Sequence, residues 1–257
     1  MWGAIIGDIV GSIYEFNNHR SKRFPLFGPG VEFTDDSVMT IAVADALLNG
    51  RHPATAMKDW GRRYPGRGYG GRFARWLESA DDSPYNSYGN GAAMRVSPAA
   101  HLVATLDEAL TLAERVTAVT HNHPEGLKGA AATVHAIVLA REKVPAADIR
   151  STIAATYGYD MNRTVDGIRP IYRFNETCQE TVPEALICAF EATDFEDAIR
   201  NAISIGGDSD TVAAIAGAVA EAMFGVPEAI LKQARGYLTD DLVAVMGALY
   251  ARHTHKA

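Results

Sequence analysis

Cysteine is almost missing from this chain. Two thiols, Cys178 and Cys188, occur in 257 residues, and neither has a partner in CxxC spacing. That excludes a disulfide framework and a thiolate metal cluster, and it fits a reducing compartment. Long apolar runs are absent too: the most apolar stretches, near 182–190 and 212–224, are short and alanine-rich, below the length of a membrane span. The opening MWGAIIGDIVGSIYE has no basic leader and is interrupted early by Asp8, so it makes a poor signal peptide. A soluble cytoplasmic protein with no membrane association is expected. Positive charge is in deficit, with 24 Lys and Arg against 31 Asp and Glu and a formal charge of -7. No stable nucleic-acid partner is expected from such a balance, although a nucleotide can still be held by backbone amides and cations.

β-branched alternation over six or more residues is scarce, whereas helical periodicity recurs along the chain, so the fold class is expected to be all-α. Helices are predicted over 2–14, 37–48, 53–63, 107–120, 127–140, 146–156, 180–192, 195–204, 211–224, 227–235 and 239–252. Gly3, Gly7 and Gly11 weaken the first by about 1 kcal/mol each, but their missing side chains permit close packing. Asp107, Pro145, Gly225 and Pro227 read as starts or stops. The interval 62–101 is different, rich in glycine, arginine and aromatics, and reads as a binding edge between helices. Trp60, Tyr64, Tyr69, Phe73 and Trp76 suit a substrate rim or ordinary packing equally. A second irregular stretch, 157–179, is expected to pack beside this interval.

Two acidic clusters precede helical stretches: FTDDS at 33–37 and GGDSDT at 206–211. Each alone reads equally well as an acidic N-cap that complements the helix dipole. Brought together, Thr34, Asp35, Asp36, Asp208, Asp210 and Thr211 offer only oxygen ligands, a set suited to hard divalent cations such as Mg²⁺ or Mn²⁺. Two cations balance four carboxylates better than one. Glu15 lies seven residues beyond Asp8 and shares its face if the first helix persists. Either acid reads as an ordinary solvent-facing group, and beside a metal centre Glu15 is placed to orient water or accept its proton.

SYGNGAAMR at 87–95 presents a hydroxyl, an aromatic ring, glycines around Asn90 and a terminal cation. Backbone amides of such a turn can cradle a diphosphate while Tyr88 stacks on a base; a plain surface turn with Arg95 in a salt bridge is the alternative. THNHPEG at 120–126 lacks the HExxH spacing of a zinc site. His121 is a candidate for a phosphate or ribose, and His123 for a cap before Pro124. Gly207 is expected to let the backbone approach a bound ribose.

Taken together, GAIIGDIVGSIYE at 3–15, FTDDS at 33–37, SYGNGAAMR at 87–95, TH at 120–121 and SIGGDSDT at 204–211 resemble, in order, the motifs of the ADP-ribosylglycohydrolase family typified by DraG. The resemblance spans most of the chain. It implies a single domain over 1–257, a compact orthogonal helical bundle, and a site holding two Mg²⁺ (or Mn²⁺) ions. By resemblance Thr34, Asp35 and Asp36 form one ligand set and Asp208, Asp210 and Thr211 the other, with Asp210 bridging. Glu15 and Asp36 are the candidates for handling the proton of the attacking water. Ser87, Tyr88, Gly89 and Asn90 match the loop for diphosphate and adenosine, and His121 a phosphate-side residue. The implied activity is metal-dependent glycosidase chemistry, hydrolysis at C1 of an ADP-ribosylated protein or small ADP-ribosyl compound, without a covalent intermediate. Arginine linkage is the default expectation; serine linkage, O-acetyl-ADP-ribose and a binding-only protein are the alternatives, and a monomer is one option for its assembly. Two departures stand out: the chain is short for the family, and Asn86 stands before Ser87 where some relatives have glycine.

Overall fold

The structure, a computed structural model, describes residues 1–254, and of His253 and Thr254 only the backbone. Among these residues helix is the only extended regular element, so the all-α expectation is met. The helices are α1 Trp2–Gly11, α2 Asp35–Asn49, α3 Pro53–Arg63, α4 Gly71–Glu78, α5 Gly91–Met94, α6 Ser97–His101, α7 Leu106–Thr117, α8 Pro124–Arg141, α9 Ala146–Tyr157, α10 Val165–Ile168, α11 Cys178–Phe190, α12 Phe195–Ser204, α13 Ser209–Phe224, α14 Glu228–Arg235 and α15 Asp240–Thr254. No helix among the described residues is long and apolar enough to cross a membrane. Both cysteines are buried and free.

At the centre is α13, whose first three turns, Ser209 to Ala220, are buried on every side. A helix apolar all round must be enclosed by others. Here α1, α8, α11 and α12 surround it. The closest approach is to α1, along the glycine stripe. A Cβ at Gly3 would lie 2.0 Å from the Gly217 carbonyl oxygen, one at Gly7 2.0 Å from that of Ala213, and one at Gly11 2.4 Å from Asp210 Cα. These glycines therefore set the distance between backbones, and the last of them sets it beside the second acidic cluster.

Helix ends follow local chemistry. The Thr34 hydroxyl accepts from the Asp36 amide at 3.2 Å to start α2, and Gly50, at φ +63°, ends it. His123 Nδ1 accepts from the Glu125 amide at 3.1 Å to start α8. For α7 the cap is Thr105, in a reciprocal box with Glu108, two residues before the expected Asp107. The first helix stops at Gly11, short of the predicted residue 14, so Glu15 sits in a loop and shares no helix face with Asp8. Asp8 is fully buried, against the expectation of a solvent-facing acid. The interval 62–101 contains α4, α5 and α6, and the aromatics Trp60, Phe73 and Trp76 are buried in packing.

A cleft with an acidic and a basic wall

Asp8 is the first piece of the site, although it does not line the cleft. Projecting from α1, it accepts from the Thr34 amide at 3.0 Å, the Thr34 hydroxyl at 2.6 Å, the Ser37 amide at 3.1 Å and the Ser37 hydroxyl. One buried carboxylate thus caps the start of a different helix and holds Asp35 and Asp36 in place. Burial pushes Asp8 up to about 6 even against these four donors. The Thr34 hydroxyl, donating to Asp8 and accepting from Asp36, keeps one lone pair for any other role.

The starts of α2 and α13 meet at one end of a cleft of about 260 Å³. Glu15, Asp35, Asp36, Asp208, Asp210 and Thr211 line one end of it. Carboxylate oxygens of Glu15, Asp208 and Asp210 come within 4.8 Å of one another, a grouping able to hold a metal ion. The Thr211 hydroxyl donates to Asp36 Oδ1 at 3.3 Å and so links the two clusters. Burial, and then the neighbouring carboxylates, hold Asp35, Asp36 and Asp210 well above the ordinary range. Half-buried Glu15 is pushed up to about 7 by desolvation first, then by Asp208, Glu176 and Asp8.

Such an array is unfavourable by itself, because like charges out of water repel. Asp36 Oδ2 is moreover buried with no hydrogen-bond partner. An unsatisfied buried oxygen within an all-oxygen, multiply acidic set is what a hard cation remedies, so the residues present fit a divalent metal.

The basic wall comes from the first turn of α4 and from the loops that hold Arg95 and His121. Arg95, 1% exposed, donates through Nη2 to Thr120 Oγ1 at 2.5 Å and to His121 Nδ1 at 3.0 Å. A guanidinium can only donate, so His121 Nδ1 is an acceptor and the ring proton sits on Nε2. Burial, then Arg95 and Arg72, keep His121 neutral by holding it well below its usual value. Its Nε2 faces the glycine turn, 3.2 Å from where a Cβ of Gly91 would be. Burial draws Arg95 itself down to about 10. Arg72 lines the same wall, with its guanidinium donating to the Tyr85 carbonyl and lying 5.0 Å from the Tyr85 ring.

The 87–90 turn is pinned from both sides. Its amides at Gly89 and Asn90 are spent on Ser87 Oγ at 3.2 Å and the Glu176 carbonyl at 2.8 Å, and Tyr88 O accepts from the Cys178 amide at 2.9 Å. The irregular stretch 157–179 therefore does pack beside this interval. Asn90 Nδ2 donates to Asp208 Oδ2 at 2.7 Å and to Thr181 Oγ1 at 3.2 Å, tying the two walls together. Asn86 has φ +54°, the left-handed region that glycine favours and asparagine tolerates. It keeps that conformation without glycine, its amide held 2.8 Å from Asn122 Oδ1.

Of the residues singled out in the sequence, Glu15, Asp35, Asp36, Ser87, Gly89, Asn90, His121, Asp208, Asp210 and Thr211 line this one cleft, whereas Thr34, Tyr88 and Gly207 do not. Tyr88 is 44% exposed, its ring edge-on to His123 at 5.1 Å. Gly207 has φ +80°, and a Cβ there would meet the Tyr172 ring at 2.3 Å. Its missing side chain makes room for packing. Arg95 makes no salt bridge among the described residues, unlike the surface-turn alternative. Arg72, Tyr85, Glu176 and the capping role of Asp8 were not singled out. Asp8 alone carried a signal, an acid inside an apolar helix where only a buried partner justifies it.

The model of the ADP-ribosylglycohydrolase family matches residues 1–257, and the chain belongs to that family. It is 26% identical to the human protein "ADP-ribosylhydrolase ARH3", over 94% of this chain and 90% of that one. It is 28% identical to "ADP-ribosylarginine hydrolase Tri1" of Pseudomonas putida (strain GB-1), over 87% of this chain and 69% of that one. A solved "ADP-ribosylglycohydrolase-related protein complex" superposes with a TM-score of 0.74 at 24% identity, over 98% of this chain and 95% of that chain, a likeness of fold. The alignment to the human protein runs over 327 positions against 257 residues here, so that relative carries segments this chain lacks. Membership makes the protein a hydrolase of ADP-ribosyl bonds.

Proposed function

We propose that this protein hydrolyses the C1 glycosidic bond of ADP-ribosyl-arginine in proteins, releasing ADP-ribose, and that it does so with two divalent cations, Mg²⁺ or Mn²⁺. The observation that carries this reading is the polarity of the cleft: acids at the starts of α2 and α13 on one wall, Arg72, Arg95 and neutral His121 on the other. A diphosphate belongs on the basic wall, which leaves the terminal ribose at the acidic end. Similarity to a relative named ADP-ribosylarginine hydrolase supports the linkage.

Asp35, Asp36, Asp208, Asp210 and Thr211 would hold the cations, with the spare lone pair of Thr34 as a further donor. The bound cations supply electrostatic stabilisation at the ribose and lower the pKa of water nearby. His121 Nε2–H donates to a phosphate oxygen as a neutral group, and buried Arg95 keeps that tautomer. Ser87 and Gly89 shape the turn against the diphosphate, and Asn90 orients Asp208. Glu15, lining the acidic end beside Asp208 and Asp210, accepts the proton of the attacking water. Water oxygen bonds to C1, the C1–N bond breaks, and the leaving guanidine takes up the proton that Glu15 gained from the water. Asp36 shares the task of orienting that water.

The test is to incubate purified protein with arginine-linked and serine-linked ADP-ribosyl peptides and with O-acetyl-ADP-ribose, in Mg²⁺, in Mn²⁺ and after chelation, and to quantify ADP-ribose. Metal-dependent release from the arginine linkage is expected. Release only from serine or acetyl linkages moves the substrate, and ADP-ribose binding without release from any of them leaves a binding protein.

A further inference from the structure

Two loops form the outer lip of the acidic end. One, residues 14–18, leaves α1; the other, residues 172–177, leads into α11. Each contributes an acid to the cleft lining, Glu15 from the first and Glu176 from the second. Each also holds a phenyl ring in solvent: Phe16 is 84% exposed and Phe174 43%. The two rings stack with centroids 5.9 Å apart at 28°.

An exposed pair of phenyl rings is an unusual use of apolar surface, and these two are held in place. Asn18 Nδ2 donates to the carbonyls of Glu15 at 3.0 Å and Gly207 at 3.1 Å, while its Oδ1 accepts from the Gly207 amide at 2.8 Å. Arg20 joins the loops by donating to the carbonyls of Tyr172 at 2.7 Å and Ile205 at 2.8 Å. Arg173 donates to the carbonyls of Pro170 and Tyr172. Both guanidiniums donate to backbone carbonyls, Arg173 while itself exposed, and beside them the lip presents phenyl rings and acids.

Position then decides what meets this lip. With the diphosphate on the basic wall and C1 at the acids, the part of a substrate that extends past Glu15 is the leaving group. We propose that Phe16, Phe174 and Glu176 form the subsite for the leaving side chain and select a guanidinium. A planar cation stacks on a phenyl face and pairs with a carboxylate, and both are present. A serine linkage brings a short neutral group that uses neither. This inference rests on the hydrolase reading above.

The experiment compares the parent protein with Phe16→Ala, Phe174→Ala and Glu176→Gln on arginine-linked and serine-linked ADP-ribosyl peptides, with thermal melting and direct binding of free ADP-ribose as controls. The expected result is a KM for the arginine-linked peptide raised about 3- to 30-fold in each variant. Melting temperature and ADP-ribose affinity should stay unchanged in all three variants, and any serine-linked turnover should stay unchanged in Phe16→Ala and Phe174→Ala. An unchanged arginine-linked KM, a parallel loss on both linkages in Phe16→Ala and Phe174→Ala, or a loss of ADP-ribose affinity overturns the subsite. A parent that cleaves the serine linkage but not the arginine one overturns it while the hydrolase class stands; no release from any linkage overturns both.

Discussion

The two walls of the cleft hold opposite charges by opposite means. The acidic wall stands on the starts of two long helices, clamped through Asp8 and the glycine stripe, and its carboxylates have like-charged neighbours, with Asp36 Oδ2 unpartnered. The basic wall is built from the start of α4 and from loops, and its buried cation, Arg95, donates through Nη2 to Thr120 and His121 while its Nε has no partner. One wall is electrostatically incomplete without something bound. The other is organised in advance to donate. A site whose acids repel and whose donors are set can gain much of its binding energy from a cation on one side and a phosphate on the other.

The sharpest way to break this contrast is Asp210→Asn, which removes a carboxylate from the middle of the acidic wall. Turnover should fall by roughly 10²–10³ or more while the helical circular dichroism is kept. Normal turnover by the purified, metal-loaded variant would rule out the catalytic reading. Arg95→Met attacks the other wall. It takes the donor from His121 Nδ1 and frees the imidazole to change tautomer, so ADP-ribose affinity should drop about 10- to 100-fold. The gain in melting temperature on adding Mg²⁺ should persist, and its loss would show that the walls are not separable.

Gly207→Val lies outside both walls and should act on stability. A β-branched residue at φ +80°, pressed into the Tyr172 ring, is expected to cost about 2 kcal/mol, a fall of roughly 4–8 °C in melting temperature. Activity per folded molecule should survive; selective loss of turnover in a normally melting variant would return this glycine to the ribose site. The smallest effect is in pH. Asp8 at about 6, Glu15 at about 7 and the raised Asp35, Asp36 and Asp210 bind more protons folded than unfolded. Their contribution to stability therefore falls as pH rises from about 4, the unfolded value, through the folded values, about 6 for Asp8 and about 7 for Glu15. A divalent cation competes with those protons, so the melting-temperature gain with Mg²⁺ over EDTA should be larger at pH 8 than at pH 5.5, by about 3–6 °C. An equal gain at both pH values would mean that the ion binds elsewhere.

Much of the fold was legible because helical period and punctuation are local. The spans 53–63 and 195–204 coincide with α3 and α12, and most other long helices shift only at their ends. The failures are instructive: α4 was hidden among glycines and arginines, and only packing of Phe73, Trp76 and Leu77 shows that GRFARWLE is amphipathic. The acidic wall was legible for the same local reason, since both clusters immediately precede helices. The basic wall was less so. Glu176 carries no motif, Arg72 is one arginine among several, and the turn at 87–90 spends on its own anchoring two amides that sequence alone leaves free.

By itself the sequence determined the helical class, the oxygen-only chemistry of the acidic clusters and the order of the family's motifs, because periodicity, capping and ligand hardness are properties of residues and their near neighbours. Only the tertiary structure decided that FTDDS and GGDSDT share a cleft, that Asp8 caps a helix other than its own, that Gly207 serves Tyr172, and that Phe16 meets Phe174. Those pairings join residues as much as some 175 positions apart, as Asp36 and Thr211 are. No local rule reaches that far; the packing of α1 and its neighbours around α13 does.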